Sequence, residues 1–245
     1  MNSLDSTALP ALDAATVMVL RQSGTEFEVF MVRRHHKSGF MANAYVYPGG
    51  KLDEDDCTSI AASHVLGLDP EQAGARLGDT ADPMRALGLF LAGVRETFEE
   101  AGILLASRRG EEDYIDLTSD AAIAARFADH RQALHRGELS LCELAAREDL
   151  VINLENVGYF AHWITPYFEN RRFDTRFFVA IAPPLQRPLH DALETTDSLW
   201  ITPSRAIDRY RADELFLAPP TLRTLEQLAG FEDLKSLLDF SQTHR

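Results

Sequence analysis

The stretch that decides the fold is VRETFEEAGILL, residues Val94–Leu105. It places Glu96, Glu99 and Glu100 within one and a half helical turns, next to Arg95. At 100° per residue, the three carboxylates share an arc of roughly 100° on a helix, opposite an apolar stripe. Carboxylates three and four residues apart repel each other by about 0.2–0.5 kcal/mol per pair. Either the acids form a solvated face, or they bind a cation.

The sequence around the acids predicts a helix from about Pro83 to Ala101. Asp82 is a good N-cap, Pro83 suits the first turn, and Gly102 ends the helix. The acids therefore lie in the last two turns, where the helix dipole disfavours anions. Arg95 can pair with Glu99 four residues later. These features favour the cation over the solvated face.

Composition limits the classes of function. The chain has 245 residues, of which 45% are hydrophobic, and its net charge is −14. Such an acidic protein repels nucleic acid and anionic membranes, so we expect neither as a partner. Cys57 and Cys142 form neither a disulfide framework nor a zinc motif. The amino terminus lacks a basic start and an apolar signal core, so we expect a cytoplasmic protein.

The pattern along the chain predicts a single domain over residues 1–245, built as a mixed α/β sandwich rather than a doubly wound sheet. Residues 14–22 and 27–34 read as a hairpin, and a short strand at Tyr45–Tyr47 is stopped by Pro48-Gly49-Gly50. An insertion at about 54–82 holds at most one short helix. Further elements are predicted as two helical pieces in 116–149, strands at 157–164, 175–182 and 198–201, and helices at 203–211, 219–229 and 231–241.

Two separated motifs resemble the halves of the Nudix box. The first is Gly50-KLDED-Asp56, and the second runs from Arg95 to Ile103 as RETFEEAGI. There are three departures from the family pattern. Asp56 stands for glutamate, Thr97 stands for an apolar residue, and 38 residues separate the halves where the family has seven. The split predicts that the insertion interrupts the box.

Other stretches resemble a long-insert branch of this family, the branch that includes the peroxisomal coenzyme A diphosphatases of mammals. They are GFMANAYVYPGGKLD (39–53), WITPYFENRRFDTRFFVA (163–180), LWITPSRA (199–206) and LAPPTL (217–222). The resemblance implies a Nudix-type α/β/α sandwich around a mixed sheet, and a metal-dependent diphosphatase acting on a coenzyme A or acyl-CoA pyrophosphate. The alternatives are a Nudix hydrolase acting on NADH, ADP-ribose or a nucleotide sugar, and a binding module without catalysis.

The resemblance also implies roles for single residues. Glu99 and Glu100 would bind Mg²⁺ or Mn²⁺, Glu96 would be a further ligand or the base, and Gly49 would add its carbonyl. Arg95 would orient the acids. Asp56, being off the pattern, is at most an outer-shell group.

A second set of expectations concerns the base and the substrate. Many Nudix enzymes take their base from a later loop, and we favour Glu194 over Glu169, Asp174 and Asp197. Arg34, Arg172 and Arg176 are expected to bind the phosphates of a small-molecule nucleoside diphosphate derivative. Since Nudix proteins are often dimers, a homodimer is a further expectation.

Overall fold

The computed structural model describes residues 9–36, 41–80, 82–191 and 193–243. Residues 39–40 of the quoted stretch 39–53 and both ends of the predicted domain lie outside them. The strands are β1 (Leu12–Ser23), β2 (Glu26–Arg34), β3 (Tyr45–Val46), β4 (Gly49–Lys51), β5 (Val65–Leu66), β6 (Ala106–Arg108), β7 (Leu150–Asn153), β8 (Val157–Ile164), β9 (Phe173–Ile181) and β10 (Thr195–Ile201). The helices are α1 (Ser59–Ala62), α2 (Pro70–Leu77), α3 (Pro83–Ala101), α4 (Ala121–His135), α5 (Leu141–Arg147), α6 (Pro203–Arg211), α7 (Pro219–Leu228) and α8 (Leu234–Thr243).

A seven-stranded mixed sheet organises these elements. Its order is β10-β2-β1-β9-β8, with β3 beside β2 and β4 beside β1. β1 and β9 run parallel, and the other pairs are antiparallel. The predicted hairpin is confirmed, since Ser23 pairs with Glu26 across a tight turn. The predicted α/β sandwich around a mixed sheet is confirmed as well.

The central strand β1 has a core on each face because its side chains alternate between the two faces. Ala15 and Val17 belong to the core that also contains the apolar side chains of α3. Met18 and Leu20 belong to a second core, beneath α6, α7 and α8. The sheet is therefore the middle layer of three.

Helix α3 has the predicted bounds. The Asp82 carboxylate accepts hydrogen bonds from the amides of Met84 and Arg85, and Gly102 ends the helix with φ of 69°. The solvated-face interpretation is wrong, because Glu99 and Glu100 are buried along with most of the helix. Gly93 sets how closely α3 approaches β1, since a Cβ there would lie 2.9 Å from Val17 Cγ2.

Three expectations about the middle of the chain need correction. The insertion at 54–82 contains a 3₁₀ turn (Glu54–Cys57), two helices and a strand, not one helix. The strand predicted at Tyr45–Tyr47 does end before Pro48, but Gly49 and Gly50 belong to a further strand, β4, which pairs with β1. A second sheet, in the order β5-β7-β6, was missed, since strands of two to four residues show little alternation of apolar and polar side chains.

Within the part of the chain that the structure describes, no helix has both the length and the apolar character needed to cross a bilayer. Cys57 and Cys142 are both free thiols.

We predict that Gly93→Val lowers the free energy of unfolding by about 1–3 kcal/mol, because the added side chain forces α3 away from β1. Chemical denaturation measures this. Gly74→Val in α2 is the matched control, since a Cβ at Gly74 meets nothing nearer than 3.8 Å. Equal stability of the two variants would contradict the close approach of α3 to the sheet.

Candidate active site

The Arg95 guanidinium lies at the centre of the acidic cluster on α3. Its Nη1 donates to Glu96 Oε1 at 2.9 Å and to Glu99 Oε1 at 3.3 Å. Its Nη2 donates to Asp56 Oδ2 at 3.0 Å and to the Lys51 carbonyl at 2.8 Å. The predicted Arg95–Glu99 pair is present. One buried cation thus joins the helix, strand β4 and the 3₁₀ turn.

Asp56 has a larger part in this cluster than the sequence suggested. It is 4% exposed and pairs with Arg95. Its Oδ2 also accepts a hydrogen bond from the Asp53 amide at 3.1 Å, so the 3₁₀ turn holds it in place. Although 38 residues separate the two halves of the box in sequence, Asp56 of the first half contacts Arg95 of the second.

The two glycines of β4 leave room for two of the acids. The Gly49 amide donates to Glu100 Oε2 at 3.1 Å, and it therefore points away from β1. Because the amide and carbonyl of one residue in a strand point the same way, the Gly49 carbonyl is available on that side too. A Cβ on Gly50 would lie 2.3 Å from Glu96 Oε1. Gly49 also has no space for a side chain, with Thr16 Oγ1 2.4 Å from a Cβ there.

Burial and mutual repulsion raise the pKa values of the acids. Burial, followed by repulsion from Glu99 and Glu194 and opposed by Arg95, raises the pKa of Glu96 to about 7. Burial raises the pKa of Glu100 well above its ordinary value, and Glu96 adds to this. The pKa of Glu99 is raised as well, mainly by burial. The single positive charge of Arg95 does not neutralise all of the acids in this cluster.

The donor set fits a hard divalent cation, which prefers carboxylate and carbonyl oxygens. Among the described residues, no group of three His, Cys, Asp or Glu side chains is already arranged around a metal position. Hydrogen bonds explain this: Arg95 lies against Glu96 and Glu99, and the Gly49 amide holds Glu100. Binding requires these carboxylates to turn towards the ion. Burial and crowding raise the pKa values of all three acids, and a nearby cation would favour their ionised forms.

A cavity of about 720 Å³ opens beside the cluster. The three glutamates lie on one side, and the sheet face formed by β1 and β9 is the floor. Three of the four stretches quoted for the family resemblance contribute to its walls. The lining residues used below are Ala14, Arg34, Gly50, Lys51, Glu96, Glu100, His135, Trp163, Arg171, Phe173, Thr175 and Glu194.

Glu194 is the candidate base that the structure brings to the cavity. It is exposed on the loop before β10 and close enough to raise the pKa of Glu96 and Glu100. Asp174 instead accepts hydrogen bonds from His162 and Arg176, and Asp197 accepts one from the Tyr45 hydroxyl. Glu169 lies on an exposed loop, outside the cavity wall.

The expectation for two of the three arginines needs correction. Arg34 lines the cavity. Arg172 does not, because its guanidinium donates to the carbonyls of Thr165 and Leu9. Arg176 is buried on the opposite face of β9, where it pairs with Asp79 at 2.8 Å and with Asp174. The alternation of β9 thus turns Arg176 towards the α3 side, while Phe173 and Thr175 face the cavity.

Sequence reasoning missed a contact from α4. Arg131 Nε donates to the Glu99 carbonyl at 2.8 Å, and its Nη2 donates to the Leu189 carbonyl at 2.9 Å. His135, one turn later, lies 3.9 Å from Glu99 Oε2. In the sequence, Arg131 and His135 are four residues apart on a predicted helix, but this spacing does not identify Glu99 as their partner.

Comparison with known proteins identifies relatives over most of the chain. The family model described as NUDT19 Nudix domain matches residues 6–228. The chain is 30% identical to the acyl-coenzyme A diphosphatase NUDT19 of Gallus gallus, over 88% of this chain and 65% of that protein. It is 28% identical to the Homo sapiens protein of the same name, over 87% of this chain and 64% of that one. It therefore covers slightly less than two thirds of these relatives.

A solved structure agrees with these relatives. The crystal structure of a NUDIX hydrolase from Alicyclobacillus acidocaldarius has a TM-score of 0.75 and 25% sequence identity to this chain, covering 96% of this chain and 99% of that one. The fold is thus shared along almost its whole length.

We predict that Glu96→Gln makes the EDTA-treated protein less sensitive to pH. Burial raises the pKa of Glu96 to about 7 in the folded protein, against an ordinary value of 4.5 when unfolded, so the folded state binds more protons between these values. Wild-type stability should therefore fall as pH rises from 5 to 8, and the variant should be more stable at pH 8 by about 3 kcal/mol. Urea denaturation across this range measures the difference. Parallel curves for the two proteins would contradict the burial of a strained acid.

We predict that Arg176→Gln and Arg34→Gln have opposite effects. Removing Arg176 leaves His162 as the remaining partner of Asp79 and Asp174. The loss should cost about 1–3 kcal/mol of stability, while KM of the folded fraction stays within threefold. Removing Arg34 should raise KM with little loss of stability. Denaturation and steady-state kinetics give both quantities. A rise in KM without destabilisation in Arg176→Gln would restore Arg176 as a substrate ligand.

Proposed function

This chain belongs to the Nudix family, within the branch described by the NUDT19 Nudix domain, and from that premise we propose that it hydrolyses the diphosphate of coenzyme A or its acyl esters. The family resemblance seen in the sequence is confirmed by the match over residues 6–228. The substrate is proposed because the curated relatives are acyl-coenzyme A diphosphatases and share most of this chain.

One observation carries the proposal: two buried glutamates, Glu99 and Glu100, and the half-buried Glu96, all with raised pKa values, form the wall of a cavity large enough for a nucleotide. A cluster of this kind costs stability unless a cation joins it, and stability alone gives no reason for it. The neighbouring Arg34 supplies positive charge for a phosphate in a chain of net charge −14.

The residues fit Mg²⁺ or Mn²⁺ as the metal. Glu96, Glu99, Glu100 and the Gly49 carbonyl would hold it, and when bound it neutralises phosphate charge and lowers the pKa of water. Arg95 keeps Glu96 and Glu99 oriented through the bonds described above. The floor of the cavity and Arg34 orient the diphosphate.

The reaction transfers one phosphoryl group to water. The water oxygen bonds to one phosphorus, the bridging oxygen leaves with the other phosphate, and a carboxylate accepts the water proton. Glu194 and Glu96 are the two candidates for that carboxylate, since both reach the cavity. From coenzyme A, the products are phosphopantetheine and adenosine 3′,5′-bisphosphate.

We predict that the protein, supplied with Mg²⁺ or Mn²⁺, releases phosphopantetheine from coenzyme A faster than it cleaves NADH, ADP-ribose or a nucleotide sugar. Chromatography of the products measures each rate. EDTA should abolish turnover, and Glu99→Gln should remove activity without lowering the melting temperature, because it neutralises a crowded acid.

Two outcomes would count against the proposal. Brisk cleavage of another compound with no phosphopantetheine release would reject coenzyme A as the substrate. Binding without cleavage of every compound, in the presence of metal, would favour a non-catalytic Nudix module.

A further inference from the structure

The floor of the cavity is a row of side chains across four strands. Trp163 on β8 pairs with Thr175 on β9, Thr175 with Ala14 on β1, and Ala14 with Lys51 on β4. Paired residues point to the same face of a sheet, and all four line the cavity. With strands ~4.8 Å apart, the backbones of Trp163 and Lys51 are separated by roughly 14 Å. Two small residues between two long ones make a trough.

The two ends of the trough differ in chemistry. The β4 end carries the acids, since the Glu96 carboxylate lies over Gly50 and Glu100 accepts a bond from Gly49. Arg34 supplies the cation there, close enough to Glu100 to favour its ionised form. The proposed function puts the diphosphate at this end. The other end is formed by aromatic rings and Arg171, and among the described lining residues β8 and β9 contribute no carboxylate.

Arg171 is too far from the acids to share the diphosphate with Arg34. Phe173 pairs with Leu12, whereas Gly50 pairs with Ala15, so Phe173 lies three residues, or ~10 Å, further along the sheet. Arg171 precedes Phe173 by two more residues, in the loop that leads into β9, and β9 is two positions from β4 in the sheet.

Among the residues that the structure describes, no carboxylate pairs with Arg171. Its neighbour Arg172 donates to the carbonyls of Thr165 and Leu9, whereas Arg171 turns into the cavity. Arg171 lines the same cavity as the aromatic side chains Trp163 and Phe173, and Arg34 lies at the other end, so the cavity suits a ligand with an anionic group separate from its diphosphate.

We propose that Trp163 and Arg171 form a subsite for an adenine nucleotide that carries a phosphate on its ribose in addition to the diphosphate. The purine stacks on Trp163, and the ribose phosphate pairs with Arg171. This inference rests on the proposed function and narrows it. Coenzyme A has such a 3′-phosphate, whereas NADH, ADP-ribose and nucleotide sugars do not, so Arg171 selects coenzyme A among them.

The test compares coenzyme A with 3′-dephospho-coenzyme A, which differ only in this phosphate. Wild-type kcat/KM should favour coenzyme A by about tenfold, the usual order for a charge-assisted contact at a partly exposed site. Arg171→Gln should lose this preference by lowering kcat/KM for coenzyme A alone, with the value for the dephospho compound within twofold of wild type. Arg211→Gln removes an equal charge at an exposed helix position outside the cavity and should change neither value.

Trp163 is tested by paired variants. Trp163→Leu should lower kcat/KM for both compounds by about tenfold, because base stacking is lost, and Trp163→Phe should retain most of it. If Arg171→Gln lowers both compounds equally, or neither, while wild type cleaves coenzyme A, the phosphate subsite is rejected. Equal activity of Trp163→Leu and wild type rejects the stacking contact.

A binding measurement separates this inference from the proposed function. Calorimetric titration with adenosine 3′,5′-bisphosphate and with AMP needs no turnover. Tighter binding of the bisphosphate by about tenfold, lost in Arg171→Gln, supports the subsite even if the wild type fails to cleave coenzyme A. Equal affinity for the two nucleotides overturns the subsite even if cleavage is fast.

Discussion

The active-site region depends on one buried guanidinium, that of Arg95. It contacts Asp56, Glu96 and Glu99 and also holds the Lys51 carbonyl, so a helix, a strand and a 3₁₀ turn meet at one charge. Without it, the buried Asp56 and Glu99 and the half-buried Glu96 would lose their counter-charge, at a cost of several kcal/mol. The Arg95–Asp56 pair also joins two segments that a long insertion separates in sequence. Closing a longer loop costs little extra entropy, about 0.6 kcal/mol for each doubling, so the length of the insertion is tolerated.

The elements that could be predicted carry strong local signals. Helix α3 has an N-cap, a proline in its first turn and a glycine at its end, and the hairpin has a turn between two β-branched strands. Strand β4 could not be predicted, because Gly49 and Gly50 are typical of turns. Their place in a strand depends on β1, which leaves no room for a Cβ at Gly49. The short strands of the second sheet likewise depend on their partners and not on their own sequence.

The candidate site divides in the same way. The clustering of Glu96, Glu99 and Glu100 could be predicted from helical spacing, and the burial of Glu99 and Glu100 strengthens that prediction. The alternation of side chains along β9 places Arg176 and Asp174 on one face, but alternation alone does not show which face borders the cavity. Packing decides this: Phe178 meets Phe90 of α3, whereas Phe177 meets Tyr47 beside the cavity. The role of Arg131 could not be predicted, because its partners are backbone carbonyls distant in sequence.

The bridge made by Arg131 has a consequence for the walls of the cavity. Arg131 links the end of α3 to Leu189, the Leu189 amide donates to the Ala101 carbonyl, and Asp191 holds the amides of Leu193 and Glu194. That wall is therefore fixed to α3 by hydrogen bonds. On the opposite wall, residues 166–171 between β8 and β9 are exposed. The cavity therefore has one wall fixed to α3 by hydrogen bonds and one formed by an exposed loop, and Arg171 lies on the exposed one.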